Sequence, residues 1–258
     1  MPVIIKKTIF VEKTIRYMSV QLVLIPVTLG QTSVSKALPA YNRELILSIQ
    51  YFVVEDIRSA RRFLKQLDSD IRLEAITFFT LNKHTSKEEL SGFLQPLGEG
   101  HSVGILSEAG CPAVADPGGE LVFLAQQKDI PVVPLVGPSS ILLALMASGF
   151  NGQNFAFEGY LPVDSGLRIK TLKRLEQRLT IENQTQIFIE TPYRNHKLLE
   201  DIIKTCKPAT YLCIAADITL ETEWIKTKSI KEWKKHLPEL SKRPCIFALG
   251  QPSVNASL

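Results

Sequence analysis

Short, uninterrupted apolar runs recur along the first half of the chain: VQLVLIP (20–26), YFVVE (51–55), ITFFTL (76–81), SVGILS (102–107) and PVVPLV (131–136). Each is too short for a stable helix and is closed by proline or polar residues, the pattern of strands buried on both faces. Between them lie helical patterns at 57–67, 85–94 and 119–127. Strands alternating with helices across short loops predict a parallel sheet covered on both sides. Gly137-Pro138-Ser139 is a helix-start signal, and the ILLALMA that follows is apolar on every side, which predicts a buried helix.

Asn151-Gly152-Gln153-Asn154 interrupts this pattern and is the predicted domain boundary. Beyond it come FAFEGYL, a basic helix near 166–179, the strand QIFIE (186–190), a helix near 193–204 and the strand TYLCIA (210–215). The alternating TLETEWIKTKS (219–229) reads as a β-segment with one wet face, followed by a short helix at 230–236 and the strand PCIFALG (244–250). The predicted fold class is α/β, with a parallel-sheet domain over 18–152 and a mixed-sheet domain over 153–252. Residues 1–17 read as an extension outside the fold, with Met18 a candidate start, and 253–258 as a tail.

Composition narrows the function. The chain has 258 residues, 45% hydrophobic and 22% charged, which excludes a disordered or coiled-coil protein. No apolar run reaches the roughly 18 residues of a membrane span, and the first residues lack the clean apolar core of a signal peptide. The four cysteines, Cys111, Cys206, Cys213 and Cys245, form no C-x-x-C pair, so free thiols of a cytoplasmic protein are the expectation and no metal site is predicted.

The net charge of +4 is uneven: residues 1–150 hold 14 basic and 14 acidic side chains, whereas 151–258 hold 16 and 12. Two clusters carry the excess. Arg168, Lys170, Lys173, Arg174 and Arg178 are opposed by Glu176, and Lys226, Lys228, Lys231, Lys234 and Lys235 by Glu232. Such clusters hold phosphates or form a solvated helix face.

The motifs of several common enzymes are missing: a G-x-G-x-x-G after the first strand, a Walker A loop, H-E-x-x-H and G-x-S-x-G. What remains is a set of loops after strands, where open α/β sheets bind ligands. Pro26-Val27-Thr28-Leu29-Gly30 follows the first strand and Glu55-Asp56-Ile57-Arg58 the second. Ser107-Glu108-Ala109-Gly110-Cys111-Pro112 runs on to Asp116-Pro117-Gly118, offering small residues for close backbone approach and one carboxylate. Ser139 and Ser140 stand at a helix start, where hydroxyls and free N–H groups meet polar ligands or simply cap the helix. In the second half, Phe157-Glu158-Gly159-Tyr160-Leu161-Pro162 and Glu190-Thr191-Pro192-Tyr193-Arg194 follow strands. Loops of this kind on two domains predict a cleft between them.

In this order the loops resemble the tetrapyrrole-methylase superfamily of S-adenosylmethionine (SAM)-dependent methyltransferases. The motifs carrying the resemblance are E-D-x-R at 55–58, S-E-A-G-x-P with D-P-G at 107–118, G-P-S at 137–139, F-E-G-Y-L-P at 157–162 and E-T-P-Y-R at 190–194. The last two point to the branch that methylates a ribose 2′-hydroxyl of small-subunit ribosomal RNA. Glu108 stands where that branch usually has Asp, and Cys111 where it usually has Thr. The resemblance implies a cytoplasmic homodimer, SAM as cofactor and the small ribosomal subunit or its rRNA as partner. It implies cofactor contacts at Pro26, Glu108, Ala109, Gly110, Ala113, Ser139, Ser140, Glu190 and Ile218.

Methyl transfer to a weakly acidic ribose hydroxyl calls for a base or a charged orienter. Glu55, Asp56, Arg58 and Arg194 are the candidates, Arg194 as a holder of phosphate or an orienter of a carboxylate. Arg168, Lys170, Lys173 and Arg174 are the candidate RNA contacts. A small-molecule, tetrapyrrole-like methylase and a catalytically silent SAM-binding module are the alternative readings.

Overall fold

A computed structural model describes residues 20–82 and 84–252; the predicted extension and tail lie outside the described residues. The chain divides into two compact units. The first comprises the described chain up to Thr28 and Ser33–Pro138, and the second Leu29–Thr32 and the described chain from Ser139.

The first unit is built on strands β1 (Leu22–Ile25), β2 (Tyr51–Val54), β3 (Thr77–Thr80), β4 (Val103–Leu106) and β5 (Val132–Pro134). They form one five-stranded parallel sheet in the order β3-β2-β4-β1-β5. Alternation along each strand sends neighbouring side chains to opposite faces. Val23, Ile25, Phe52 and Val54 meet helices α2 (Ala40–Leu47) and α3 (Ile57–Leu67) on one side. Leu22, Val53, Val103 and Ile105 meet α4 (Lys87–Phe93), the short α5 (Gln95–Gly98) and α6 (Gly119–Gln127) on the other. Helix α3 forms as its sequence predicts: Asp56 caps it, and Ala60, Phe63, Leu64 and Leu67 make a buried stripe at helical spacing. Three helices escape the sequence pattern: the single turns α1 (Val34–Ala37) and α5, too short to show a period, and α2, whose apolar stripe is narrow and includes the buried Asn42.

The second unit adds α7 (Ser140–Ser148), β6 (Phe155–Tyr160), α8 (Ser165–Glu182), β7 (Thr185–Glu190), α9 (Asn195–Thr205), β8 (Tyr211–Ala216), β9 (Trp224–Ser229), α10 (Ile230–Trp233) and β10 (Cys245–Gly250). Its sheet has the order β6-β7-β10-β8-β9 and is mixed: β6 and β7 are parallel, and the other pairs are antiparallel. Leu172, Leu175 and Leu179 of α8, Leu198, Leu199 and Ile202 of α9, and Ile230 and Trp233 of α10 cover one face. Helix α7 covers the other, with Ala144 and Leu145 against Ile187, Cys213, Ala215 and Ile246. The packing of α7 assigns it to this second unit.

Two expectations need correction. The apolar α7 is buried on one face only, because a single sheet covers it; Leu142 is 50% and Met146 78% exposed. The alternating stretch 219–229 is a strand only from Trp224, since Asp217 and Thr219 adopt left-handed backbone with φ of 52° and 72° and fold the preceding segment into a turn.

No described helix is long and apolar enough to cross a membrane.

Candidate functional site

In a parallel sheet all carboxyl ends lie on one edge, and in the first unit that edge carries the loops singled out from the sequence. Val27 and Gly110 exchange backbone hydrogen bonds of 2.9 and 3.3 Å, joining the loops after β1 and β4. Pro26 is buried beneath this junction, and Gly137 packs on its ring so closely that a Cβ there would lie 2.2 Å from Pro26 Cγ. Only glycine permits that approach. Buried Asn42 donates from Nδ2 to Val136 O at 2.7 Å and fixes the loop after β5; sequence reasoning missed it, since nothing in the local pattern marks a buried polar side chain in α2.

The loop after β4 is strained. Gly110 has φ of 75°, and the non-glycine residues Ala113 and Ala115 have φ of 63° and 58°. Each left-handed non-glycine residue costs about 1–3 kcal/mol, and such residues concentrate at ligand sites. Glu108 and Ala109 are exposed at the head of the loop.

Glu55 follows Val54, whose register partner is Leu106, so Glu55 and Ser107 leave the sheet side by side. Ser107 Oγ donates to Asp116 Oδ2 at 2.5 Å, which brings Asp116 to Glu55. The two carboxyl groups are close enough that the charge of Asp116 acts on Glu55. Burial, followed by repulsion from Asp116 and Glu108, raises the pKa of Glu55. Burial also raises that of Asp116, against the hydrogen bond from Ser107. Asp116 belongs to the D-P-G motif but was not among the candidate catalytic residues; only the folded sheet brings it to Glu55.

The other members of E-D-x-R do different work. Asp56 Oδ1 accepts from Arg58 N at 2.5 Å and Ser59 N at 3.2 Å, so its carboxylate is the N-cap of α3. The Arg58 side chain is exposed in the first turn of that helix.

In the second unit, β7 and β8 both run antiparallel to β10, and Glu190 and Ala216 both pair with Cys245, so Glu190 and Ile218 emerge at the same sheet end. Glu190 Oε1 accepts from Thr191 N at 2.6 Å and from Arg194 Nε and Nη2 at 2.9 and 2.6 Å. Of the two roles expected for Arg194, this geometry is that of a carboxylate orienter. Ile218 packs in the α7 cluster between the left-handed Asp217 and Thr219. Asp217 Oδ2 accepts from Arg243 Nε at 2.7 Å and from Thr222 Oγ1 at 2.9 Å, which holds the turn. The buried Thr219 Oγ1 has no hydrogen-bond partner. Ser139 caps α7, with Oγ accepting from Leu142 N at 3.5 Å, and Ser140 opens its first turn.

Among the basic candidates, Arg168 requires correction. It is 6% exposed and donates to Asp201 Oδ2, to Pro162 O and to Val163 O, so it pins α8 to α9 and does not belong to the outer basic face. Lys170, Lys173 and Arg174 are exposed. Glu176 does not oppose them at the surface, because it is buried and accepts from Lys207 N at 2.7 Å and from Thr210 Oγ1 at 2.5 Å.

Comparison with known proteins agrees with this architecture. The family model of the Tetrapyrrole (Corrin/Porphyrin) Methylases matches residues 28–233, and the chain belongs to that family. Among curated proteins it is 31% identical over 214 residues to Ribosomal RNA small subunit methyltransferase I of Escherichia coli O157:H7, covering 82% of this chain and 70% of that one. It is 33% identical over 175 residues to the protein of the same name from Pasteurella multocida (strain Pm70), covering 67% of this chain and 61% of that one. The chain thus spans between three fifths and seven tenths of the length of these relatives. Among solved structures, the methyltransferase CobJ matches with a TM-score of 0.61 at 15% identity, covering 93% of this chain and 98% of that one. Uroporphyrin-III-C-methyltransferase from Thermus thermophilus matches with a TM-score of 0.53 at 16% identity, over 89% and 94% of the two chains. At such identities the likeness is one of fold.

Proposed function

We propose that this protein is a SAM-dependent methyltransferase of the cytoplasm that methylates a ribose 2′-hydroxyl of small-subunit rRNA. The observation that carries the reading is the strained loop after β4, which has small residues for backbone approach, an exposed carboxylate and beside it the carboxyl groups of Glu55 and Asp116, whose pKa values are raised. The identity to the ribosomal RNA methyltransferases directs the reading to RNA.

The residues fit such a cofactor. Pro26, Glu108, Ala109, Gly110 and Ala113 supply a buried ring, backbone amides and a carboxylate able to accept from hydroxyls or balance a positive charge. Taken by itself, the second unit carries the further proposed contacts Ser139, Ser140, Glu190 and Ile218, which offer helix-start polar groups, an oriented carboxylate and an apolar side chain. The unpartnered Thr219 hydroxyl next to Ile218 is a further polar group for a ligand to satisfy. SAM supplies an electrophilic methyl on a sulfonium.

The protein's task is to hold a nucleophile in line with that methyl, an effect worth about 7–11 kcal/mol in well-oriented reactions. Glu55 is the proposed proton acceptor for the hydroxyl, since burial and the neighbouring Asp116 raise its pKa and make it a stronger base than an ordinary carboxylate. Asp56 contributes by capping α3, whose first turn carries the exposed Arg58. Arg194 holds Glu190. Lys170, Lys173 and Arg174 contact phosphates.

The test is transfer of labelled methyl from SAM to small ribosomal subunits isolated from cells lacking this gene. Incorporation into rRNA, abolished by Glu108→Arg through lost SAM binding and by Glu55→Gln with SAM binding retained, is the expected result. Absence of incorporation by a protein that binds SAM would overturn the RNA reading and leave a small-molecule methylase or a silent binder.

A further inference from the structure

The two basic clusters are separated by some fifty residues in the sequence, yet the fold joins them. Glu176 is the joint: from α8 it binds Lys207 N and Thr210 Oγ1 of the loop before β8. The same loop binds the start of α10, since Pro208 O accepts from Lys231 N at 3.0 Å and Thr210 O from Ile230 N at 2.8 Å. Lys173 lies about 60° around α8 from Glu176 at 3.6 residues per turn. Arg174 and Arg178 lie about 160° around the helix from Glu176 and reach Glu158 of β6 at 3.8 and 2.8 Å, which partly neutralises them. On α10, Ile230 and Trp233 are buried and Trp233 Nε1 donates to Leu212 O, so Lys231 and Lys234 face solvent.

Lys170, Lys173, Lys207, Lys231 and Lys234 are all exposed, and none makes an ion pair among the described residues. The nearby acids are committed elsewhere. Glu176 is buried, Glu200 pairs with Lys197 and Lys204, and Glu232 closes the capping box of α10 by accepting from Ser229 N and Oγ.

We infer that these five lysines form one continuous phosphate-binding strip, running from α8 over the 207–210 loop to α10, along which an RNA backbone lies. This rests on the proposed RNA substrate and extends its contact surface to residues that the basic helix alone does not include. Lysines without acidic partners bind phosphates as point charges, and their contribution reads out as counterion release.

The experiment measures affinity for naked small-subunit rRNA and for the assembled subunit across a salt series, using wild type, Lys207→Glu/Lys231→Glu and the milder Lys207→Gln/Lys231→Gln. SAM affinity monitors folding. Each phosphate contact adds about 0.7–0.9 to the slope of log affinity against log salt. The neutral double variant is expected to lower the slope by about 1.4–1.8 and to weaken binding of both RNA forms by at least about tenfold near 0.1 M salt, with SAM affinity unchanged. Unchanged affinity and slope in both double variants, while wild type binds with a steep salt dependence, would overturn the strip alone. Loss of binding to the assembled subunit with naked-rRNA binding intact would also overturn it, in favour of a ribosomal protein as the partner of these lysines. A wild-type protein without salt-dependent affinity for either RNA form would overturn both the strip and the proposed function.

Discussion

The two units treat their carboxylates in opposite ways, buried in the second and half-buried in the first. In the second, each has a donor: Asp201 meets Arg168, Glu190 meets Arg194, Asp217 meets Arg243, and Glu176 takes an amide and a hydroxyl. In the first, Asp116 and Glu55 are brought to one another with Glu108 nearby, and only the Ser107 hydroxyl and backbone groups ease them. The pairing in the second unit is structural. The grouping of like charges in the first opposes folding at neutral pH, and such groups mark sites kept for chemistry.

The contrast can be broken most sharply at Arg168. Removing it leaves Asp201 buried with Lys197 at 3.3 Å as its remaining cation, and Arg168→Ala is expected to destabilise the protein by about 3–5 kcal/mol, read by denaturant unfolding. A loss below about 1 kcal/mol would mean that the pair is dispensable and that the units do not differ in this respect. A smaller effect of opposite sign is expected at Thr219, whose left-handed φ and unpartnered hydroxyl both cost stability. Thr219→Gly should gain about 1 kcal/mol while weakening SAM binding. Destabilisation by this change would show that the turn depends on the threonine.

The smallest effect concerns pH. Because folding raises the pKa values of Glu55 and Asp116, their contribution to stability is complete below the unfolded carboxylate range and is lost as pH rises through the raised folded values. Asp116→Asn removes one of the repelling charges, so its melting temperature relative to wild type should be higher at pH 8 than at pH 4. A difference independent of pH would show that the two carboxyl groups do not act on one another.

The sequence by itself determined the elements and their class. Short apolar runs marked most of the strands and alternation marked β9, the stripe of α3 and its Asp56 cap made the helix, and the succession of strands and helices made the parallel sheet; these signals are local, carried within one turn or one strand. It also picked out the loops at the strand ends, since Gly, Pro and small residues announce a special backbone. What each charged side chain does was decided by tertiary structure. Arg168 and Lys170 look alike in a basic helix, yet one is buried against α9 and the other is exposed. Asp56 and Glu55 are adjacent, yet one caps a helix and the other meets Asp116, brought from a distant loop by the register of β2 with β4. Burial and charge pairing depend on partners far apart in the chain, and the linear order of residues does not contain those distances until the sheet fixes them.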